Sequence, residues 1–281
     1  MREFKRQAGT AAASAKRIRL LLFSLALKCH DPRELPVSNF MDRICMSVIR
    51  SLHLLLALVI PALLGILAGA VWALVTRDRR RTTNAVACVV GWLAPRLAGL
   101  RIECANRHFL ATRPAVVVFN HQSGLDPVIL CALLQRDIVG VAKQPLARNP
   151  LLGPLLRLPG TIFLGDREER RARVLQQVQQ VLDSGMSIVM APEGTRVHAA
   201  QSGGVGRFRS GACEIARRCA VPVLPIVIHN SGERLAARDR QLFPGIVRVT
   251  VLPPRRIASD DDFEQATRQL EQDYVAALAQ P

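Results

Sequence analysis

Aromatic side chains are scarce: one tyrosine, two tryptophans and nine phenylalanines among 281 residues, 4% of the chain. Basic residues that are not interleaved with stacking rings make a poor platform for single-stranded nucleic acid. No signature of a nucleic-acid-binding fold is present either. Acidic residues are also few, 22 against 38 Lys and Arg, which leaves a formal charge of +16. Such an excess calls for an anionic partner, nucleic acid or anionic phospholipid, and the missing aromatics favour the second. There is no C-x-x-C pair. The seven cysteines (Cys29, Cys45, Cys88, Cys104, Cys131, Cys213 and Cys219) are odd in number and irregularly spaced. They define neither a zinc site nor a disulfide framework, so reduced thiols and a cytosolic catalytic part are expected. No internal repeat is visible.

Three regions follow from composition. Residues 1–40 are a basic, irregular extension. Its apolar patch, Leu20–Leu27, is too short to span a bilayer. A basic start and a short apolar run imitate a signal peptide, but no small-residue cleavage site follows. Met41 and Met46 are alternative starts. Residues 41–99 are expected to anchor the chain in a membrane. Leu54–Val75 carries no charge and is long enough to cross. Arg77, Arg79, Arg80 and Arg81 follow at once, which predicts a cytoplasmic C-terminal flank. A second apolar stretch, Ala85–Pro95, is short for a span and suits a shallow hairpin or an interfacial position. The competing reading is a buried helical pair in a soluble core.

Residues 100–281 have the composition of an α/β domain. Apolar, β-branched runs predict strands at Ala115–Phe119, Ile138–Ala142, Thr161–Leu164, Ser187–Met190, Pro222–Ile228 and Ile246–Leu252. Glu168–Ser184 and Asp261–Ala279 show helical spacing. Alternating strands and helices predict a largely parallel, mixed central sheet flanked by helices, preceded by the membrane-associated helical segment.

The stretch Val116–Pro127 organises the chain. A strand ends in Asn120-His121-Gln122-Ser123-Gly124-Leu125-Asp126, and Pro127 opens the apolar segment Pro127–Leu134. Asp126 reads as an N-cap and Pro127 as the first helical residue. His121 and Asp126 therefore flank a strand-to-helix turn, where open α/β sheets expose reactive groups. A histidine takes a proton near neutral pH, and a carboxylate on its far nitrogen fixes the tautomer. The plainer alternative has Asp126 capping a helix and His121 satisfying a turn carbonyl. Ser123 is given no nucleophilic role.

Downstream, Gly140-Val141-Ala142-Lys143, Gly160–Arg167 and Ala191-Pro192-Glu193-Gly194-Thr195-Arg196 each follow or contain an apolar strand. In a parallel sheet the strand C-termini share one edge. His121, Asp126, Lys143, Arg167, Glu193 and Arg196 are then expected around one crevice. A base among cations suits an acceptor that carries both a hydroxyl and a phosphate. The plainer alternatives are that Arg167 pairs with Asp166 or Glu168, that Glu193 holds its own loop, and that Lys143 is only solvated. Val221–Ile226 reads as a structural, proline-bounded strand.

In order and spacing, NHQSGLD, GVAK, GTIFLGDR, APEGTR and VPVLPI resemble the glycerolipid acyltransferase family, in its 1-acylglycerol-3-phosphate acyltransferase branch. The resemblance covers roughly residues 100–230 and includes membrane-associated N-terminal helices. It implies His121 as base and Asp126 as its orienter. It also implies Arg167, Glu193, Gly194 and Arg196 as head-group binders, with Thr195 of the same turn and Lys143 among the substrate-contacting positions. The implied acceptor is a lysophospholipid and the implied donor an acyl carrier protein or coenzyme A thioester. Neither a metal nor a cofactor is expected. The expected location is a membrane, with the catalytic domain facing the cytoplasm, as at a bacterial inner membrane. Two departures stand out: one extra residue between Gly160 and Asp166, and Gln144-Pro145 after Lys143 where Lys-Glu is usual. Two alternatives stay open. One is acylation of another lysolipid, such as an amino-acid-containing one; the other is a non-catalytic protein that holds anionic lipid.

Overall fold

A computed structural model describes residues 40–150, 152–165, 168–197, 204–236, 241–258 and 262–279. Two helices lead, α1 (Phe40–Thr76) and α2 (Arg79–Leu97). Then come β1 (Leu100–Ala105), β2 (Val116–Phe119), α3 (Asp126–Leu134), β3 (Ile138–Lys143), α4 (Gln144–Arg148), α5 (Leu152–Arg157) and β4 (Ile162–Leu164). The second half holds α6 (Glu168–Asp183), β5 (Ser187–Met190), α7 (Gly211–Arg218), β6 (Val223–Ile228), α8 (Ser231–Arg234), the short hairpin β7 (Leu235–Ala236) and β8 (Gln241–Leu242), β9 (Gly245–Val251) and α9 (Phe263–Leu278).

Seven strands form one sheet in the order β1-β9-β6-β2-β5-β3-β4. The five from β6 to β4 are mutually parallel. β9 joins antiparallel to β6, and β1 lies parallel to β9. The sheet is mixed and largely parallel, as expected. The reversed pair at one edge was not legible, because β1 and β9 alternate buried and exposed residues and their pairing is non-local. The central strands β2, β5 and β6 are buried along their whole length, as strands covered on both faces must be. One apolar layer, including Val117, Ile129, Leu133 and Leu224, fills the α3 side. A second, including Val116, Val178, Ile188, Ile215 and Leu270, fills the α6, α7 and α9 side.

Pro225 lies inside β6, where it cannot donate to the ladder. Leu252 N donates to Pro225 O at 3.0 Å, so the donor that Pro225 lacks faces β9; on the β2 side the single tyrosine bridges the two strands. Tyr274 Oη accepts from Ile226 N at 3.0 Å and donates to the Val118 carbonyl at 2.7 Å, so α9 inserts one hydroxyl between β2 and β6. Asn120 ties the same two strands one step further on. Its Nδ2 donates to Ile228 O at 2.9 Å and its Oδ1 accepts from Ile228 N at 2.8 Å.

The uncharged run lies within α1, and Val48–Thr76 is long and apolar enough to cross a membrane. Leu63 and Leu67 are 60% and 61% exposed. The opposite side of the helix is lined with small residues. A Cβ on Gly65 would stand 3.2 Å from Val90 Cγ2, and one on Gly69 would stand 2.8 Å from Val86 Cγ2. A side chain at Gly69 would therefore force Val86 of α2 to shift, and one at Gly65 would press on Val90. Ala85–Pro95 falls within the longer α2. That helix rests on α3, with Gly91 against the Cys131 backbone.

Candidate active site

The parallel strands deliver their C-termini to one edge, and β2 sits between β6 and β5 on that edge. The turn after β2 is consequently reached from both sides. Asp126 is not the N-cap that its place before Pro127 suggests. Leu125 occupies that position without a side-chain cap, and Asp126 is the first helical residue. Its carboxylate turns back into the loop instead. Oδ2 accepts from His121 Nδ1 at 2.7 Å, from Gln122 N at 2.9 Å and from Ser123 N at 2.8 Å. Oδ1 accepts from Ser231 Oγ at 2.5 Å. Asp126 has no exposed surface, whereas the His121 side chain keeps 21%. A buried carboxylate with four donors is fully satisfied and fixed in place.

With Nδ1 committed to Asp126, His121 has no protein partner on Nε2 among the described residues. The ring stands edge-on to Phe119, with centroids 5.7 Å apart. That leaves a partly exposed imidazole whose tautomer is set by its carboxylate. The neighbouring His229 is otherwise engaged: its Nε2 meets Thr250 Oγ1 at 2.9 Å, and burial lowers its pKa.

From the β5 side comes the turn after Met190. Glu193 is 5% exposed. Its Oε2 accepts from His121 N at 3.4 Å, and the Gly206 N–H also donates to the carboxyl. Val197 N donates to His121 O at 2.8 Å, so the two turns are laced together. Burial pushes the Glu193 carboxyl up to about 8, against a partial offset from those backbone donors. Oε1 is buried without a partner among the described residues. The structure thus turns Glu193 into the protein, as a brace for the loop beside His121, where the resemblance implied a head-group contact.

Gly194 has φ +66°, a conformation suited to glycine. Thr195 and Arg196 are exposed on the same turn, and Lys143 is exposed at the end of β3. Arg167 lies outside the described residues. Two members of the site were missed in the sequence. Ser231 follows β6, 105 residues from Asp126, and nothing local marks it. Arg209 stands close to Gly194, and its N–H donates to Pro192 O at 3.0 Å. Only its charge was visible in the sequence.

Residues 101–229 match the Acyltransferase family model. The chain is 35% identical over 162 residues to the mouse 1-acyl-sn-glycerol-3-phosphate acyltransferase alpha, a match covering 56% of each chain. It is 28% identical over 203 residues to the 1-acyl-sn-glycerol-3-phosphate acyltransferase of Salmonella typhimurium, covering 71% of this chain and 80% of that one. Against the mouse protein the chain thus spans only about half of the relative's length. The crystal structure of the 1-acyl-sn-glycerophosphate acyltransferase PlsC from Thermotoga maritima superposes with a TM-score of 0.64 at 21% identity, covering 85% of this chain and 98% of that one. This last likeness bears on the fold. The segment that matches the Acyltransferase family model holds the His121–Asp126 pair, its brace Glu193 and the strands that position them.

Proposed function

We propose that the protein is a membrane-bound O-acyltransferase that moves a fatty acyl group from a thioester of acyl carrier protein or coenzyme A to the free hydroxyl of 1-acylglycerol-3-phosphate, giving phosphatidate. The observation that carries this reading is the His121–Asp126 pair, with Nε2 open at the edge of the segment that matches this family. His121 Nε2 takes the hydroxyl proton as the oxygen attacks the thioester carbonyl. Asp126 holds the ring and stabilises the imidazolium. The tetrahedral intermediate collapses with cleavage of the C–S bond, and the imidazolium returns the proton to the departing thiolate. Assistance by a positioned base of this kind is worth on the order of a hundred- to ten-thousandfold. The thioester is already activated, so no acyl-enzyme is invoked. Cations at the rim, among them Lys143 and Arg196, suit a phosphomonoester head group.

α1 is read as the membrane element, with the catalytic domain on the cytoplasmic side next to Arg77–Arg81. The test is incubation of the purified protein with lysophosphatidate and, in parallel, acyl-carrier-protein and coenzyme A thioesters, followed by mass spectrometry. Phosphatidate from either donor is the expected product. No phosphatidate from either, with release of free fatty acid only, would replace this reading with hydrolysis.

A further inference from the structure

We infer that Asn120 is a positioning residue of the transfer reaction: by bridging β2 to β6 where their pairing ends, its side chain sets the two strand ends that grip Asp126, one carrying His121 and the other Ser231. This rests on the acyltransferase reading above. β2 pairs with β6 from Val116 opposite Val223 to Phe119 opposite Ile226, and the pairing stops there. β6 runs on to Ile228, whose N–H and carbonyl still face the β2 side. Buried backbone groups of this kind are costly to leave without partners. The Asn120 carboxamide meets both at once. Its Nδ2 donates to Ile228 O at 2.9 Å, and its Oδ1 accepts from Ile228 N at 2.8 Å. A carboxamide carries a donor and an acceptor side by side, so this side chain stands in for the next peptide of the ladder. Asn120 and Ile228 are both wholly buried, which shields the two bonds from water.

Making the bridge with a side chain frees the Asn120 backbone to leave the sheet, and the next residue is His121. On the other strand, Ser231 follows Ile228 by three residues. The two arms close on one carboxylate. His121 Nδ1 stands 2.7 Å from Asp126 Oδ2, and Ser231 Oγ stands 2.5 Å from Oδ1. Asn120 has no exposed surface, so it acts through these neighbours and not on the substrate. Tyr274 supplies an internal comparison. It makes the same kind of buried tie between the same two strands, at Val118 and Ile226, one step further from the turn. Loss of either tie loosens β2 against β6, but only the loss of Asn120 releases the strand ends that hold the dyad. Misplacing reacting groups by about 1 Å can cost about a hundredfold in rate.

The experiment uses the full chain in mixed micelles and compares Asn120→Ala, Asn120→Ser and Tyr274→Phe with the parent enzyme. Asn120→Ala removes both bonds to Ile228, and Asn120→Ser leaves a hydroxyl on that side of the strand. Denaturation midpoints give the folded fraction, and kcat per folded enzyme and KM are measured for lysophosphatidate and for the acyl thioester. Asn120→Ala is expected to lower kcat about ten- to a hundredfold. Both KM values should stay within about twofold of the parent, as for a group that acts only on the transition-state geometry. Asn120→Ser should fall between, and Tyr274→Phe should lose stability while keeping a kcat near that of the parent. If Asn120→Ala does not fold, Asn120→Ser carries the comparison. A kcat per folded enzyme that is unchanged in the Asn120 variants, a loss of kcat equally deep in Tyr274→Phe, or a rise in KM with kcat kept would overturn the inference. Failure of both Asn120 variants to fold would overturn it too, by making Asn120 a tie of the fold alone. A parent enzyme that makes no phosphatidate would instead overturn the acyltransferase reading.

Discussion

Ser231 donates its hydroxyl hydrogen to Asp126 Oδ1 at 2.5 Å, with both residues wholly buried. The residue that follows strand β6 thereby fixes the carboxylate that in turn fixes His121. Sheet order makes this possible, since β6 is the direct neighbour of β2. The catalytic geometry consequently depends on a contact that no local sequence pattern carries.

His121→Ala should abolish acyl transfer, because no second base is placed as His121 is among the described residues. Asp126→Asn should retain a trace, since an amide still orients the ring but cannot stabilise the imidazolium. Ser231→Ala should act in the same direction more mildly, lowering kcat roughly tenfold, as expected for about 1–2 kcal/mol of lost orientation. The three are compared by kcat and KM for both substrates. A Ser231→Ala enzyme that loses KM but keeps kcat would show that the serine does not act through Asp126.

Tyr274→Phe isolates the hydroxyl bridge between β2 and β6. The substitution keeps the ring, which stacks edge-on to Phe208 with centroids 5.0 Å apart, and removes only the hydroxyl. Ile226 N and Val118 O would then be buried without that partner. The cost should be about 2–4 kcal/mol of stability, read as a lower midpoint in denaturant. Activity of the folded fraction at low temperature should remain near that of the parent. A Phe variant as stable as the parent would mean that the strands relax into a direct bond from Ile226 N to Val118 O.

Much of the centre of this fold was legible because β2, β5 and β6 are continuous apolar runs ending in polar turns. Tyr274 could be placed on the inner face of its helix by spacing alone. The reversed pairing at one edge could not be read, since β1 alternates buried and exposed residues and its partner β9 comes about 140 residues later. The dyad was visible as His121 and Asp126 five residues apart, but the cap signal at Pro127 suggested a different task for Asp126. Its backbone donors at Gln122 and Ser123 outcompeted that role. Glu193 was legible as a residue of the crevice; its inward orientation comes from the Gly206 and His121 N–H groups, which meet it only in the folded chain.

The outer face of α1 supplies a membrane test that spares the fold. Leu63 and Leu67 are more than half exposed, so charged replacements cost the folded unit little. In a bilayer interior each charge costs about 2.5–3.5 kcal/mol. Leu63→Arg combined with Leu67→Arg should therefore shift the protein from the membrane to the soluble fraction in a flotation assay. Removing residues 1–40 should not. Release by the truncation alone would locate the anchor in the extension instead.

Glu193 links stability to pH with a sign that can be worked out. Its carboxyl titrates near 4.5 when unfolded and is pushed up to about 8 by burial in the folded chain. Below the lower value it is neutral in both states, and its contribution to stability is fully present. As pH rises towards about 8 the unfolded chain releases the proton first, so the folded state becomes progressively less favoured. Above about 8 both states are ionised and the loss is complete. Glu193→Gln keeps the shape and can still accept from His121 N and Gly206 N through its amide oxygen, but it has no proton to release. Denaturation midpoints measured from about pH 5 to pH 8 should therefore fall less steeply for Glu193→Gln than for the parent. Since the same side chain braces the backbone of His121, acyl transfer by the Gln variant should persist on the alkaline side, where the parent's brace ionises. Parallel pH slopes for parent and variant would mean that the Glu193 carboxyl is not held neutral by burial. A Gln variant inactive at every pH, yet as stable as the parent, would mean that the carboxyl serves the reaction directly and not as a brace.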